Sequence, residues 1–132
     1  MRVVLDSSVL ITATISRAGT CSAVLEDVIA RHDLVISEHI LAEVERKLRE
    51  KLGFPVREVR ALLSLLRRVG ELVVPADLPP NACRDATNTP TLGTALSGKA
   101  AALVTGDKGL LALTICRRIR IIGPAQFWAI QG

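Results

Sequence analysis

Three carboxylates stand where strand-sized apolar runs end. Asp6 directly follows "RVVL", and Asp107 lies just past "ALV" in "LVTGDKGL". Glu43 lies seven residues beyond "LVI", within the first two turns of the helix that this run feeds. It is one position off that helix's apolar stripe, which keeps it at the core edge and facing the sheet end. If the three converge, the chemistry that suits them is hard-cation binding. Mg²⁺ and Mn²⁺ take oxygen ligands in octahedral geometry, usually one or two carboxylates with water and phosphate oxygens completing the shell. A cation held this way activates water and offsets charge on a scissile phosphate. Without one, converging carboxylates repel and raise one another's pKa.

Each acid also has a structural explanation. An Asp after a strand is often a helix N-cap, which accounts for Asp6 alone. Glu43 alone reads as a surface helix residue pairing with Lys47 four positions on. Asp107 in "TGDKG" alone reads as turn chemistry. The case for a site therefore rests on the three together. Lys108, beside Asp107, is the cation best placed for a substrate backbone, although an exposed turn lysine is the more common explanation.

The elements that must position these acids alternate along the chain. "RVVL" (2–5), "LVI" (34–36), "LVV" (72–74), "ALV" (102–104) and "IRII" (119–122) are strand-sized and rich in β-branched residues. Between them run helical patterns. Leu41, Val44, Leu48 and Leu52 follow the spacing of one helix face, as do Val59, Leu62, Leu63, Leu66 and Val69 in the next. Pro55 and Pro124 sit where helices begin, positions at which a missing N–H is harmless. The closing "FWAI" is expected to dock as an end helix on its own core. The alternation predicts a three-layer α/β/α fold with a mostly parallel central sheet, in which sites form at the carboxyl ends of strands.

Composition narrows the function. The chain has 132 residues, enough for one domain spanning 1–132 and too few for two ordinary ones. With 17 basic and 13 acidic residues the net charge is +4, which permits a polyanionic partner without demanding one. Phe54, Phe127 and Trp128 are the only aromatic residues. That argues against a binder that stacks bases on aromatic platforms, so nucleic-acid contact would run through phosphate or a metal. Cys21, Cys83 and Cys116 are odd in number and form no CxxC pair; they fit neither a zinc site nor a disulfide framework and point to a reducing cytoplasm. The opening segment carries Asp6 inside its apolar stretch, unlike a signal peptide, and no apolar run approaches a membrane span.

Three stretches resemble the PIN-domain family. "VVLDSSVLITA" is similar to its opening strand and Asp-Thr-Asn motif, and "SEHILAEVERKL" to its second motif, a Glu near a helix start. "LVTGDKGLLAL" followed by "IRIIGPAQFWA" looks like its closing half. The resemblance spans essentially the whole chain and is closest to the branch of toxin–antitoxin toxin components related to VapC-like ribonucleases. It implies a Mg²⁺- or Mn²⁺-dependent ribonuclease acting on RNA, with Asp6, Glu43 and Asp107 in the family's acidic positions. It also implies a cognate antitoxin and self-association as a homodimer or higher homo-oligomer. Thr105, in the "VTGD" motif, supports the site by the same resemblance.

Two departures from the family pattern stand out. Asp6-Ser7-Ser8 replaces Asp-Thr-Asn: Ser7 keeps a hydroxyl able to orient Asp6, while Ser8 lacks the amide. In "CRDATNTPTL", where relatives carry an acid-rich run, the usual third catalytic acid falls on Asn88, with Thr87 beside it and Asp85 surviving upstream. A four-acid site becomes three acids and an amide, one unit of negative charge fewer.

Three functional readings follow. The first is an active endoribonuclease using one divalent ion. The second is a catalytically degenerate PIN module that binds RNA or a protein partner without cleaving. The third is a nucleotide-binding or phosphoacceptor domain with Asp6 as nucleophile. It is disfavoured because no glycine-rich loop follows the first strand and Ser8 stands where a dehalogenase-type phosphatase needs a second Asp.

Overall fold

The computed structural model describes residues 1–79, 81–82 and 86–130. Asp85, expected to support the site, lies outside the described residues. Six strands form one sheet: β1 (Arg2–Leu5), β2 (Asp33–Ile36), β3 (Glu71–Leu72), β4 (Ala102–Val104), β5 (Ile115–Cys116) and β6 (Ile119–Ile122). Their order is β3-β2-β1-β4-β6-β5, parallel throughout except for the antiparallel β5–β6 pair. The helices are α1 (Ser7–Ile15), α2 (Thr20–Arg31), α3 (Glu38–Arg46), α4 (Val56–Val69), α5 (Thr89–Ser97) and α6 (Lys108–Leu111). They cover both faces of the sheet and complete the expected three-layer α/β/α architecture. Among the described residues, no single helix is long and apolar enough to cross a membrane.

Burial explains why the central runs became strands. Val3, Val4, Leu5, Val35, Ile36, Ala102, Leu103 and Val104 are wholly buried. Strands sandwiched between two helical layers have to be apolar on both faces, so they read as continuous β-branched runs. The chain steps from β1 outward to β2 and β3, then returns past β1 to build β4, β6 and β5. The order therefore reverses between β1 and β4, and a crevice opens at their carboxyl ends. Asp6 N–H donates to the Val104 carbonyl at 3.1 Å, extending the β1–β4 ladder by one bond into that crevice.

At the periphery the structure departs from the sequence reading. The third strand was expected over 72–74, but only Glu71–Leu72 pairs, followed by a single bond from Val73 N–H to the Ile36 carbonyl. It is an edge strand, and Val74, with 82% exposure, stands in solvent just before Pro75. An apolar run at an edge has one neighbour and little to cover it, so composition overstated its length.

β5 was not foreseen. It is joined to β6 through Arg117 and Arg118, both at positive φ (46° and 76°). Two central residues at positive φ are the pattern of a type I′ hairpin, which sequences normally announce with Asn-Gly. Two arginines give no such signal.

Leu52 was placed on the apolar face shared with Leu41, Val44 and Leu48 and is instead 45% exposed. After Arg46 the helix widens into a π turn (Lys47–Lys51), closed by Leu52 N–H to the Lys47 carbonyl at 3.2 Å. An i→i+5 turn adds a residue to the repeat, so the 3-and-4 spacing that buries Leu48 no longer carries Leu52 inward. Gly53 follows at φ +66°, the left-handed region that ends a helix cleanly at a glycine. Pro55 sits at the N-cap of α4 as expected, with Val59, Leu63 and Leu66 buried beneath it. Leu62 is only partly buried and Val69 is exposed, so the α4 stripe is narrower than its spacing suggests. The closing segment Pro124–Ile130 is a 3₁₀ helix that buries Phe127 completely and leaves Trp128 exposed.

Candidate functional site

A pocket of about 360 Å³ opens at the β1–β4 switch point. Asp6, Glu43, Asn88 and Asp107 all line it, together with Ser7, Ser8, Cys21, Lys47 and Thr87. Each acid reaches it from a different element, and each does so by a local device.

Asp6 ends β1 and caps α1. Its Oδ1 accepts from Val9 N–H at 3.0 Å, an N-cap bond, and from the Ser8 hydroxyl at 2.6 Å. Its Oδ2 accepts from the Thr105 hydroxyl. With 6% exposure this carboxylate is nearly dry, and three donors compensate for the lost water. The capping explanation for Asp6 thus holds, and it coexists with a place in the pocket.

Asp107 repeats the arrangement on β4. It caps α6 by accepting from Leu110 N–H at 2.8 Å, and its own N–H donates to Thr105 Oγ1 at 3.0 Å. Thr105, fully buried, therefore links the two strand-end aspartates through one hydroxyl, donating to Asp6 and accepting from Asp107.

Glu43 is oriented by α1. Ser7 Oγ donates to Glu43 Oε2 at 2.7 Å, and His39 Nε2 lies 3.5 Å from Oε1, within ion-pair range but outside hydrogen-bond geometry. This corrects one expectation and decides one alternative. Ser7 was expected to orient Asp6, yet that task falls to Ser8, while Ser7 holds Glu43. The reason is phase: both serines sit on the first turn of α1, where successive side chains point about 100° apart. The alternative explanation of Glu43, a pairing with Lys47, is not what the structure holds: its partners are Ser7 and His39.

Asn88 reaches the pocket because it does not cap its own helix. The preceding 3₁₀ turn (Ala86–Asn88) already gives Asn88 helical torsions, φ −85° and ψ −9°, and its side chain makes no cap bond. Its Nδ2 donates across the pocket to Asp107 Oδ2 at 3.0 Å. Gly93, one turn into α5, holds that helix close, since a Cβ there would collide with the Ala76 carbonyl oxygen. A buried link between Thr94 Oγ1 and Ser37 Oγ at 2.8 Å ties α5 to the N-cap of α3, so the helices carrying Asn88 and Glu43 are fixed to each other.

The acids share a pocket without forming a joint cluster. Among the described residues, no group of three or more His, Cys, Asp or Glu is placed to hold a metal ion together. Each carboxylate is drawn to its own donors: Asp6 to Ser8 and Thr105, Asp107 to Leu110 and Asn88, Glu43 to Ser7. The donors themselves suit a hard cation. Asp6 and Asp107 are two carboxylates on one wall, the Asn88 amide carries a carbonyl oxygen, and the ions in question commonly use one or two carboxylates with water.

Lys108 lies exposed at the start of α6 and does not line the pocket, whereas Lys47 does. Lys47 follows Glu43 by four residues on one helix face, a signal present in the sequence but read as a pairing partner. Cys21 was noted only for redox context. It enters the pocket from α2, which bends 109° away from α1. Burial, with the Asp6 carboxylate adding to it, holds its thiol above the usual pKa.

A PIN domain family profile matches residues 2–109, from the strand before Asp6 through the turn that carries Asp107. No curated protein matches the chain at a significant level. Among solved structures, a chain of the VapBC2 complex from Rickettsia felis, bound to a DNA fragment from its promoter, superposes with a TM-score of 0.63. The superposition covers 92% of this chain and 97% of that one at 14% identity, a likeness of fold. The family match takes in both strand-end aspartates, Glu43 and Asn88. The chain belongs to the PIN domain family.

Proposed function

We propose that the protein is a divalent-metal-dependent endoribonuclease, the toxin component of a toxin–antitoxin system. The observation that carries this reading is the pairing of Asp6 and Asp107 through Thr105 at the switch point of the sheet, in a pocket that Glu43 and Asn88 also line. Asp6 and Asp107 would hold Mg²⁺ or Mn²⁺. The ion would supply an activated water and charge compensation at the scissile phosphate. Glu43, set by Ser7, orients the attacking water or completes the shell. Asn88 lines the same pocket, and Thr105 and Ser8 aim Asp6 by donating to it.

A target of RNA and a protein antitoxin covering the site belong to this reading, as does assembly into a homodimer or higher homo-oligomer. Free thiols at Cys21 and Cys116 suit a cytoplasmic setting. The test is cleavage of single-stranded and structured RNAs with Mg²⁺ or Mn²⁺, lost in EDTA and in Asp6→Asn. Intact RNA under every condition overturns the proposal.

One observation favours a second reading, a degenerate module that binds RNA or a partner without cleaving. The Asn88 amide satisfies Asp107 where a fourth acid would demand a cation. Under this reading Asn88→Asp gains cleavage that the parent lacks. Equal cleavage by both rules it out.

A further inference from the structure

We infer that Lys47 is the phosphate-binding residue of the pocket, holding a non-scissile phosphodiester of an RNA strand that crosses it. The inference deepens the nucleic-acid reading of the same site and rests on it. Of the described residues lining the pocket, Lys47 is the only Lys or Arg. Its side chain is half-buried and forms no ion pair among the described residues. The nearest carboxylate in sequence, Glu43, is occupied by Ser7 at 2.7 Å and by His39 at 3.5 Å.

The backbone explains how Lys47 comes to be there. Its N–H is shared between the Glu43 and Val44 carbonyls, so the chain keeps α-helical phase up to this residue and Lys47 stays on the face of Glu43. The π turn begins at the same residue, and the next lysine, Lys51, points away from the pocket and is exposed. Helices widened in this way recur at functional sites. The result is one ammonium with three donors at the rim of a pocket whose carboxylates are met by other donors. Among the described residues no aromatic side chain lines the pocket, so a nucleic acid there meets no base-stacking platform and is held by its backbone. An anionic phosphate oxygen is the acceptor that Lys47 lacks, and an ammonium binds phosphate as a point charge.

The test is the affinity of the full chain for a fluorescein-labelled oligouridylate, read by anisotropy in EDTA so that hydrolysis does not interfere, over about 50 to 200 mM KCl. Lys47→Gln is expected to weaken binding about three- to tenfold at the lowest salt and to reduce the slope of log affinity against log salt by about 0.7, the share of one phosphate contact on a single strand. Lys47→Arg should keep the slope, and Lys108→Gln should leave affinity and slope unchanged. An unchanged slope in Lys47→Gln overturns the inference, and so does an equal loss in Lys108→Gln. Equal losses in Lys47→Gln and Lys47→Arg would assign the effect to packing and overturn it too, as would a parent that binds no probe. A parent that shows the expected pattern yet cleaves no RNA with Mn²⁺ upholds the Lys47 contact and removes only the nuclease reading.

Discussion

Asn88 Nδ2 donates to Asp107 Oδ2 at 3.0 Å, so a neutral amide brings no charge to the pocket but supplies its acidic neighbour with a donor. The bond decides how the site behaves without a cation. Two carboxylates in that relation would repel, and one would be forced to take up a proton or recruit a cation. With an amide, the wall is stable empty.

Asn88→Asp should therefore destabilise the metal-free protein at neutral pH, by about 1–3 kcal/mol for the lost charge-assisted bond and the new repulsion. Mn²⁺ should restore more melting temperature to this variant than to the parent. Thermal melts with Mn²⁺ and with EDTA check both parts; a variant that melts with the parent in EDTA contradicts the argument.

Thr105→Val removes the hydroxyl shared by Asp6 and the Asp107 backbone, leaving a nearly dry carboxylate one donor short. The expected loss is about 2–4 kcal/mol in urea unfolding, since two buried partners go unmet. Thr105→Ser should retain most of the stability and the cleavage. If serine proves no better than valine, the methyl group and not the hydroxyl holds the site.

Cys21 gives a chemical probe of the pocket. Its pKa is raised, first by burial and then by Asp6, so at a given pH it carries less thiolate than an ordinary cysteine. Thiolate is the reactive form. Alkylation by iodoacetamide at pH 8, followed by mass spectrometry, should be slower at Cys21 than for a free thiol, and somewhat faster in Asp6→Asn. Once alkylated, Cys21 should obstruct cleavage. Rapid alkylation with full activity retained would place the thiol outside the pocket.

The β5–β6 turn offers a test remote from the site. Arg117 and Arg118 both occupy positive φ, where a side chain other than glycine or asparagine is disfavoured by roughly 1 kcal/mol each. Replacing the pair by Arg117→Asn with Arg118→Gly should raise stability by about 1–2 kcal/mol. A lower melting temperature would mean that the arginines make stabilising contacts that outweigh the strain.

What was legible in the sequence follows from where burial is uniform. β1, β2, β4 and β6 lie under helices, so their β-branched runs could hardly be read otherwise, and strand ends then located Asp6 and Asp107. The edges escaped for physical reasons. β3 has one neighbour and exposed apolar residues, β5 hangs on a turn without glycine, and the π turn changed the repeat between Leu48 and Leu52. At the site, residue types and strand positions brought the acids to one pocket, and the resemblance added Asn88. The hydroxyl network did not follow from either, because the assignment of Ser7 to Glu43 and Ser8 to Asp6 depends on helix phase. Lys47 was on the correct face but was given a local partner that Ser7 and His39 had already taken.

The most direct measurement is the rate of RNA cleavage by the purified parent and by Asp6→Asn, each with Mn²⁺ and with EDTA. Loss of outer partners around a bound metal typically costs ~10- to 100-fold, so loss of a ligand should exceed that. The account predicts Mn²⁺-dependent cleavage by the parent and a drop of on the order of a hundredfold or more in Asp6→Asn, with unchanged secondary structure. Cleavage that persists in EDTA, or an Asp6→Asn variant as active as the parent, would contradict it.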